Sequence, residues 1–417
     1  MTMRNLRTAK KSLMLDRRSL LKASAGAAVL TTGVSAGAST SGDLPPAGAR
    51  PKKVTLPEGT LAPRGRFERM ERLPNLDLES RQDFLMAFRI FAGREISMAA
   101  SIRADAILQS KGIPKDRDLP LEETLNLLKD DPLLQTSTRA WISTQQLSWN
   151  GLREEFEGNR EVYLEEMAAV ENKGPGSLEL NPSLQAPEYT RHEIHIQPGG
   201  YLGGPFAGHL YHYGTNGFYS GRNHNDELHV GSANRLPLPR DGKVRRILDL
   251  GTGVGQLAMA LKERFPQAEV WGIDVGGPMV RYAHLRAVER NLDVRFAQRL
   301  AEDSKFPDNY FDLVTSYIMF HEVSPEGMRN IVKEAHRITR PGGIFYPIDF
   351  KLTGAPRRSA YGQYRSWWDH RWNNEVWTMH YRKSGLPDII RNAGFALDET
   401  GPEALPNFGI LNATKIL

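Results

Sequence analysis

Residues 245–265 read RRILDLGTGVGQLAMALKERF, and the fold turns on this stretch. RRILDL is a short apolar run with strand character. GTGVGQ is a glycine turn, and LAMALKERF is a helix that Pro266 stops. The pattern repeats downstream. AEVWGID (268–274) is a second strand, MVRYAHLRAVERN (279–291) a helix, and FDLVTSYIMF (311–320) another strand. SPEGMRNIVKEAHRIT (324–339) is a helix, and RPGGIFYPIDF (340–350) a turn and strand. Strands alternating with helices imply an α/β fold with a doubly wound, mostly parallel sheet. Ligands in such sheets sit beyond the carboxyl ends of the strands.

Gly251, Gly253 and Gly255 let the first turn fold tightly and let a ligand approach the backbone without meeting a Cβ. Asp274 closes the second strand, where its carboxylate can accept hydrogen bonds from both hydroxyls of a ribose. A nucleoside-containing cofactor follows. Gly253 to Ala258 also satisfies a GxGxxA dinucleotide pattern. Asp249 argues otherwise, because a carboxylate two residues before the first glycine would face a cationic group rather than a pyrophosphate.

The later segments FPDNYFDLV (306–314) and RITRPGGIF (337–345) complete a set. An acid before GxGxG, an acid ending the second strand, an FDLV strand and an RPGG turn occur here in order. Together they resemble the class I S-adenosylmethionine-dependent methyltransferases, over roughly residues 240–350 and more weakly to the end of the chain. The resemblance implies a Rossmann-like methyltransferase sheet with S-adenosyl-L-methionine as cofactor. It places Asp249, Gly251, Gly253 and Gly255 around the methionine moiety, Asp274 on the ribose, and Val275 beside the adenine. Ala301 and Glu302, in QRLAEDSKFPD (298–308), would line the adenine's other side. Many relatives carry Asp where this chain has Leu300, so a backbone group or Glu302 would have to bind the adenine amine.

Methyl transfer is an in-line displacement that depends mostly on alignment, and a base is needed only when the nucleophile must lose a proton. His321, just past the strand at 311–320, is the candidate base, with Glu322 beside it. The alternative is that His321 only lines the pocket or caps the next helix. Tyr213, Tyr219 and His224 are weaker candidates. YGQYRSWWDHRWNNEVWTMHY (361–381) holds Trp367, Trp368, Trp372 and Trp377. Core packing is the default for such a cluster. In related folds the segment lies over the acceptor pocket, where an aromatic wall would favour a flat or hydrophobic small acceptor.

Upstream, residues 67–173 read as a helical cap or dimerisation domain, which leaves a homodimer open. LDLESRQDFLMAFRIFAGREISMAASIRADAILQS (76–110) sets Phe84, Phe88 and Phe91 on one helical face, with Asp77 as a possible cap. Residues 174–240 form a connector rich in glycine and histidine, holding six of the chain's eleven histidines: His192, His195, His209, His212, His224 and His229. A metal site from His224, Asp226 and Glu227 is the sharper hypothesis there. The glycines and prolines argue against helix and for an irregular segment over the mouth of the next domain, residues 241–417, so no metal is expected.

Residues 1–38 carry seven basic side chains and one acid, so the net charge of +5 becomes about −1 for the rest. That removes any case for nucleic-acid binding by the body of the protein. DRRSLLK (16–22), an Ala/Gly-rich apolar run and Ala36-Gly37-Ala38 resemble a twin-arginine signal peptide. Export with signal removal is expected, followed by a Pro/Gly-rich linker over 39–66; cytoplasmic residence is the alternative. The chain has no cysteine, which excludes disulfides, thiolate metal sites and a Cys nucleophile. No run of apolar residues is long enough for a stable membrane span. The expected activity is methyl transfer to a small-molecule acceptor. The alternatives are an exported, non-catalytic cofactor-binding protein and a metal-assisted enzyme on the same fold.

Overall fold

The computed structural model describes residues 65–352, 359–400 and 408–416. The signal-like leader and nearly all of the linker lie outside the described residues. The strands in chain order are β1 (Arg66–Phe67), β2 (Met70–Glu71), β3 (Ser177–Glu179), β4 (Arg246–Leu250) and β5 (Glu269–Asp274). They continue with β6 (Val294–Gln298), β7 (Phe311–Tyr317), β8 (Thr339–Ile348), β9 (Phe395–Asp398) and β10 (Asn412–Lys415). β1 and β2 pair as a hairpin, and the other eight form one sheet in the order β3-β6-β5-β4-β7-β8-β10-β9. All neighbours are parallel except β10, which runs antiparallel to both β8 and β9.

The order reverses between β4 and β7, which opens a crevice at their carboxyl ends. Helices cover both faces, so the central strands are buried on both sides and read as continuous apolar runs. On one face the helix Pro325–Ile338 packs Met328, Ile331, Val332 and Ala335 against Leu248, Leu250 and Phe345. Ser324 caps this helix by accepting from Gly327 N at 3.0 Å. On the other face Leu257 and Leu261 from Gln256–Arg264, and Val280 and Ala283 from Gly277–Glu289, cover Ile247, Val270 and Leu313.

The upstream region is helical, as expected, in five pieces: α1 (Leu76–Phe91), α2 (Ser97–Ser110), α3 (Leu121–Leu128), α4 (Pro132–Gly158) and α5 (Arg160–Ala168). Its first cap is Asn75, whose side chain accepts from Leu78 N at 2.8 Å, rather than Asp77. Phe84, Phe88 and Phe91 do stack along one face, but Phe84 and Phe91 point outward, while Leu78 and Leu85 are buried.

The connector departs from expectation. It contains two helices, α6 (Ala207–Phe218) and α7 (Glu227–Arg235). Two of the three glycines in α6 serve close packing instead of turning the chain. A Cβ on Gly208 would lie 2.5 Å from Tyr282 Cβ, and one on Gly214 would lie 2.0 Å from Trp149 Cζ3. Through these contacts α4 docks on α6, and α6 docks on the helix that carries Tyr282. All the described residues belong to one compact unit. Among them, no helix is long and apolar enough to cross a membrane.

Candidate active site

A cavity of about 500 Å³ lies at the carboxyl ends of β4, β5 and β7. Gly251, Gly253, Asp274, Val275, Ala301, Glu302 and His321 all line it. Asp274 is fixed by the glycine turn: Oδ2 accepts from Gly253 N at 2.9 Å, and Oδ1 accepts from Gly276 N at 2.8 Å. Each carboxylate oxygen keeps acceptor capacity toward the cavity. Burial raises the Asp274 pKa, and the two backbone N–H groups oppose that rise. Gly251 and Gly253 adopt φ of 61° and 54°, the left-handed region where glycine carries little strain. A Cβ on Gly251 would lie 2.5 Å from Met319 Sδ, so the loop and Met319 can approach only because that position is glycine.

Two residues expected at the cofactor do not line the cavity. Gly255 faces the core, where a Cβ would lie 2.6 Å from the Phe296 ring. Its role is to let the helix at Gln256–Arg264 sit against the sheet. Asp249 is buried under the loop and accepts from Thr252 Oγ1 at 2.7 Å. Its other oxygen, Oδ1, has no hydrogen-bond partner among the described residues. Burial, with Asp274 nearby, pushes its pKa up to about 7, a state that a neighbouring cation would reverse. Glu302 accepts a hydrogen bond from the Tyr189 hydroxyl.

The rest of the cavity lining is aromatic and charged. Tyr201, Tyr211, Tyr219, Tyr317, Phe350 and Phe408 form its wall. Burial pushes the Tyr201, Tyr211 and Tyr219 hydroxyls well above the ordinary phenol range, so they stay neutral. The tryptophan cluster makes no part of this wall. Tyr361, Tyr364 and Trp368, on the helix Ala360–Trp372, pack against Leu108, Leu128 and Leu134 of the upstream helices, and Trp372 is half-exposed. Core packing therefore holds for Trp368, while Asp369, Glu375 and Thr378 of the same segment line the cavity, and the connector supplies half of the aromatic wall.

His321 Nδ1 donates to Asp349 Oδ1 at 2.9 Å, and its backbone N–H donates to Asp349 Oδ2 at 3.2 Å. Asp349 is fully buried just past β8. Burial disfavours the imidazolium, but Asp349 and Glu322 outweigh it and hold the His321 pKa well above the ordinary value. His195 and Glu375 complete this end. His195 Nδ1 lies 2.7 Å from Glu375 Oε1, and His195 Nε2 lies 3.5 Å from Glu322 Oε1. His195 has a left-handed backbone, φ 55° and ψ 24°. Its carbonyl is held by Gln145 Nε2 at 3.0 Å and Trp149 Nε1 at 2.9 Å, both from α4. The upstream helices thus position a residue of the site.

His212, His224 and His229 of the connector have structural partners. His212 Nδ1 bonds the Tyr282 hydroxyl at 2.8 Å, and His224 Nε2 bonds Asn216 at 2.9 Å. Asp226 is spent in a buried ion pair with Arg286 at 3.0 Å, with Arg290 at 3.2 Å. The set His224, Asp226 and Glu227 is therefore not a metal site. Tyr213 donates to the Glu71 carbonyl at 2.9 Å. The signal that could have found Asp349 is an acid at the carboxyl end of a strand, as with Asp274. Glu375 carried no signal, and His195 stood out only as one of six connector histidines, since only the folded chain brings them to Glu322.

Residues 247–343 match the methyltransferase domain family. A demethylmenaquinone methyltransferase from Thermus thermophilus is 40% identical over 118 residues, 28% of this chain and 51% of that protein. A ubiquinone/menaquinone biosynthesis C-methyltransferase from Cupriavidus pinatubonensis is 33% identical over 126 residues, 28% of this chain and 49% of that protein. The match spans about half the length of these curated relatives. Among solved structures, a SAM-dependent methyltransferase from Methanosarcina mazei aligns at 21% identity, covering 44% of this chain and 96% of that one, with a TM-score of 0.33. The segment that carries the glycine turn, Asp274 and His321 is a class I S-adenosylmethionine-dependent methyltransferase domain.

Proposed function

We propose that this protein transfers a methyl group from S-adenosylmethionine to a small aromatic acceptor. The observation that carries the proposal is Asp274, locked by two backbone N–H groups at the wall of a 500 Å³ cavity, with both oxygens still able to accept. The cavity fits the cofactor chemically. Asp274 would hold the ribose hydroxyls, Val275 and Ala301 would flank the adenine, and Gly251 and Gly253 would admit the methionine portion. Asp249, with an unpartnered buried oxygen, would set a negative potential beneath the positive centre. When bound, the cofactor supplies a methyl group on a sulfonium.

The chain's own task is orientation and exclusion of water. Tyr201, Tyr211, Tyr219 and Phe350 offer neutral ring faces and edges to a flat acceptor. The names of the two curated relatives place them in quinone biosynthesis, and a ring of that kind suits this wall. His321 handles the acceptor's proton only after its carboxylate neighbours are neutralised, because an imidazolium held by Asp349 and Glu322 has no free lone pair. The direct test is transfer of isotopically labelled methyl from S-adenosylmethionine to a panel of phenols and hydroquinones. Labelled product, abolished by Asp274→Ala, supports the proposal. No binding of either S-adenosylmethionine or its demethylated product overturns it.

A further inference from the structure

We propose that His195, His321 and Glu322 form a divalent metal site at the acceptor end of the cavity, with Glu375 and Asp349 as its outer carboxylates. All three ligands line the cavity. Glu322 Oε1 lies 3.5 Å from His195 Nε2 and 3.4 Å from His321 Nε2. Those separations are too long for good hydrogen bonds. Each is close to the separation, about 3.4 Å, of two neighbouring ligands on a metal whose bonds are about 2.1 Å.

Neither Glu322 oxygen has a hydrogen-bond partner among the described residues, and both are sealed from solvent. A buried carboxylate with no hydrogen-bond donor is costly, and an ion that displaced the protons of the two neighbouring imidazoles would pair with it. Each imidazole is also anchored through its far nitrogen. His195 Nδ1 faces Glu375 at 2.7 Å, and His321 Nδ1 faces Asp349 at 2.9 Å. That is the arrangement by which outer carboxylates fix the tautomer and aim of a metal-binding histidine, leaving Nε2 for the ion. Oxygen and nitrogen atoms of His195, Glu322 and Glu375 also lie within 4.8 Å of one another.

Two imidazoles and one carboxylate suit Fe²⁺, Mn²⁺, Co²⁺ or Zn²⁺ better than Mg²⁺ or Ca²⁺, which favour oxygen donors. The remaining coordination positions face the cavity and fit an oxygen-bearing acceptor, a phenol or an enol. The acceptor's place there rests on the methyltransferase reading; the binding of the ion does not.

The test is Co²⁺ titration of the metal-stripped full-length chain, followed by visible absorption and calorimetry, with Zn²⁺ and Mn²⁺ as competitors. One equivalent should bind. Glu322→Gln and His195→Gln should each weaken binding at least a hundredfold, and Glu375→Gln roughly ten- to a hundredfold. S-adenosylhomocysteine affinity should stay within threefold in all three variants. Asp274→Asn should do the converse, losing the nucleoside and keeping the ion. Should Glu322→Gln fail to fold, the wild-type stoichiometry and Glu375→Gln decide. Failure of the wild-type chain to bind any of Co²⁺, Zn²⁺ or Mn²⁺, or binding unaltered by Glu322→Gln and Glu375→Gln, overturns the site. If S-adenosylhomocysteine still binds in that case, the functional reading survives; if the ion binds and the nucleoside does not, that reading falls alone.

Discussion

Replacing Asp274 by asparagine keeps the shape of the side chain and removes its charge and one acceptor. The structure shows what that does. Oδ1 and Oδ2 each accept one backbone N–H, from Gly276 and Gly253, at 2.8 and 2.9 Å. An amide can serve only one of those donors, and its NH₂ group would face the other. It also loses one of the two acceptors that a ribose diol requires. Hydrogen bonds to a charged group contribute about 1.5–3 kcal/mol each. Weakening both ribose bonds therefore costs about 3 kcal/mol, roughly a hundredfold in affinity. The assay is calorimetry of S-adenosylhomocysteine on both proteins, repeated with an analogue lacking the 2′- and 3′-hydroxyls. The wild-type chain should prefer the natural ligand by a wide margin, and Asp274→Asn should nearly erase that preference. Equal binding by the two proteins, or an equal loss with the analogue, would refute the assignment. A thermal midpoint for the variant checks that the glycine turn persists.

Gly255→Ala should destabilise the fold by about 2–4 kcal/mol, since its Cβ would lie 2.6 Å from the Phe296 ring at a φ of 76°; an unchanged denaturation midpoint would contradict this. His229 is buried against Tyr317, and burial holds its pKa down at about 4. The unfolded chain takes up that proton near pH 6.5 and the folded chain only near pH 4, so stability should fall as pH drops through this window. The loss should reach a few kcal/mol, and His229→Phe should flatten the profile. Asp226→Ala should cost about 3–5 kcal/mol by stranding Arg286, which is buried with it; denaturant unfolding measures this, and a loss below 1 kcal/mol would contradict it. For the leader, we propose export: a mature N-terminus near Ser39, blocked by Arg17→Lys with Arg18→Lys, is expected, and an intact Met1 on cytosolic protein would reject it.

The cofactor half of the cavity was legible because its residues are close in sequence. Gly251, Gly253 and Asp274 belong to two consecutive strand–turn units, and the backbone geometry of those turns restricts which residues fit. The acceptor half was not legible. His195, His321, Asp349 and Glu375 come from four separate segments, and no spacing along the chain announces that they meet. Only His321 and its neighbour Glu322, past β7, were singled out together in advance. The helix at Ala207–Phe218 was hidden because glycine reads as a breaker. Gly208 and Gly214 are instead demanded by Tyr282 and Trp149, partners far away in sequence. The tryptophans left two readings open for the complementary reason: an aromatic cluster at helical spacing has the same pattern whether it covers a ligand or, as with Trp368, the neighbouring helices. Burial of the whole structure, rather than local pattern, decided each of these cases.

The central claim is that the cavity at the ends of β4, β5 and β7 is built for S-adenosylmethionine. Calorimetry of the purified full-length chain with S-adenosylhomocysteine, alongside NAD⁺, tests it most directly. One equivalent of S-adenosylhomocysteine should bind, and NAD⁺ should give no heat. Binding of NAD⁺ in its place, or of neither, would contradict it.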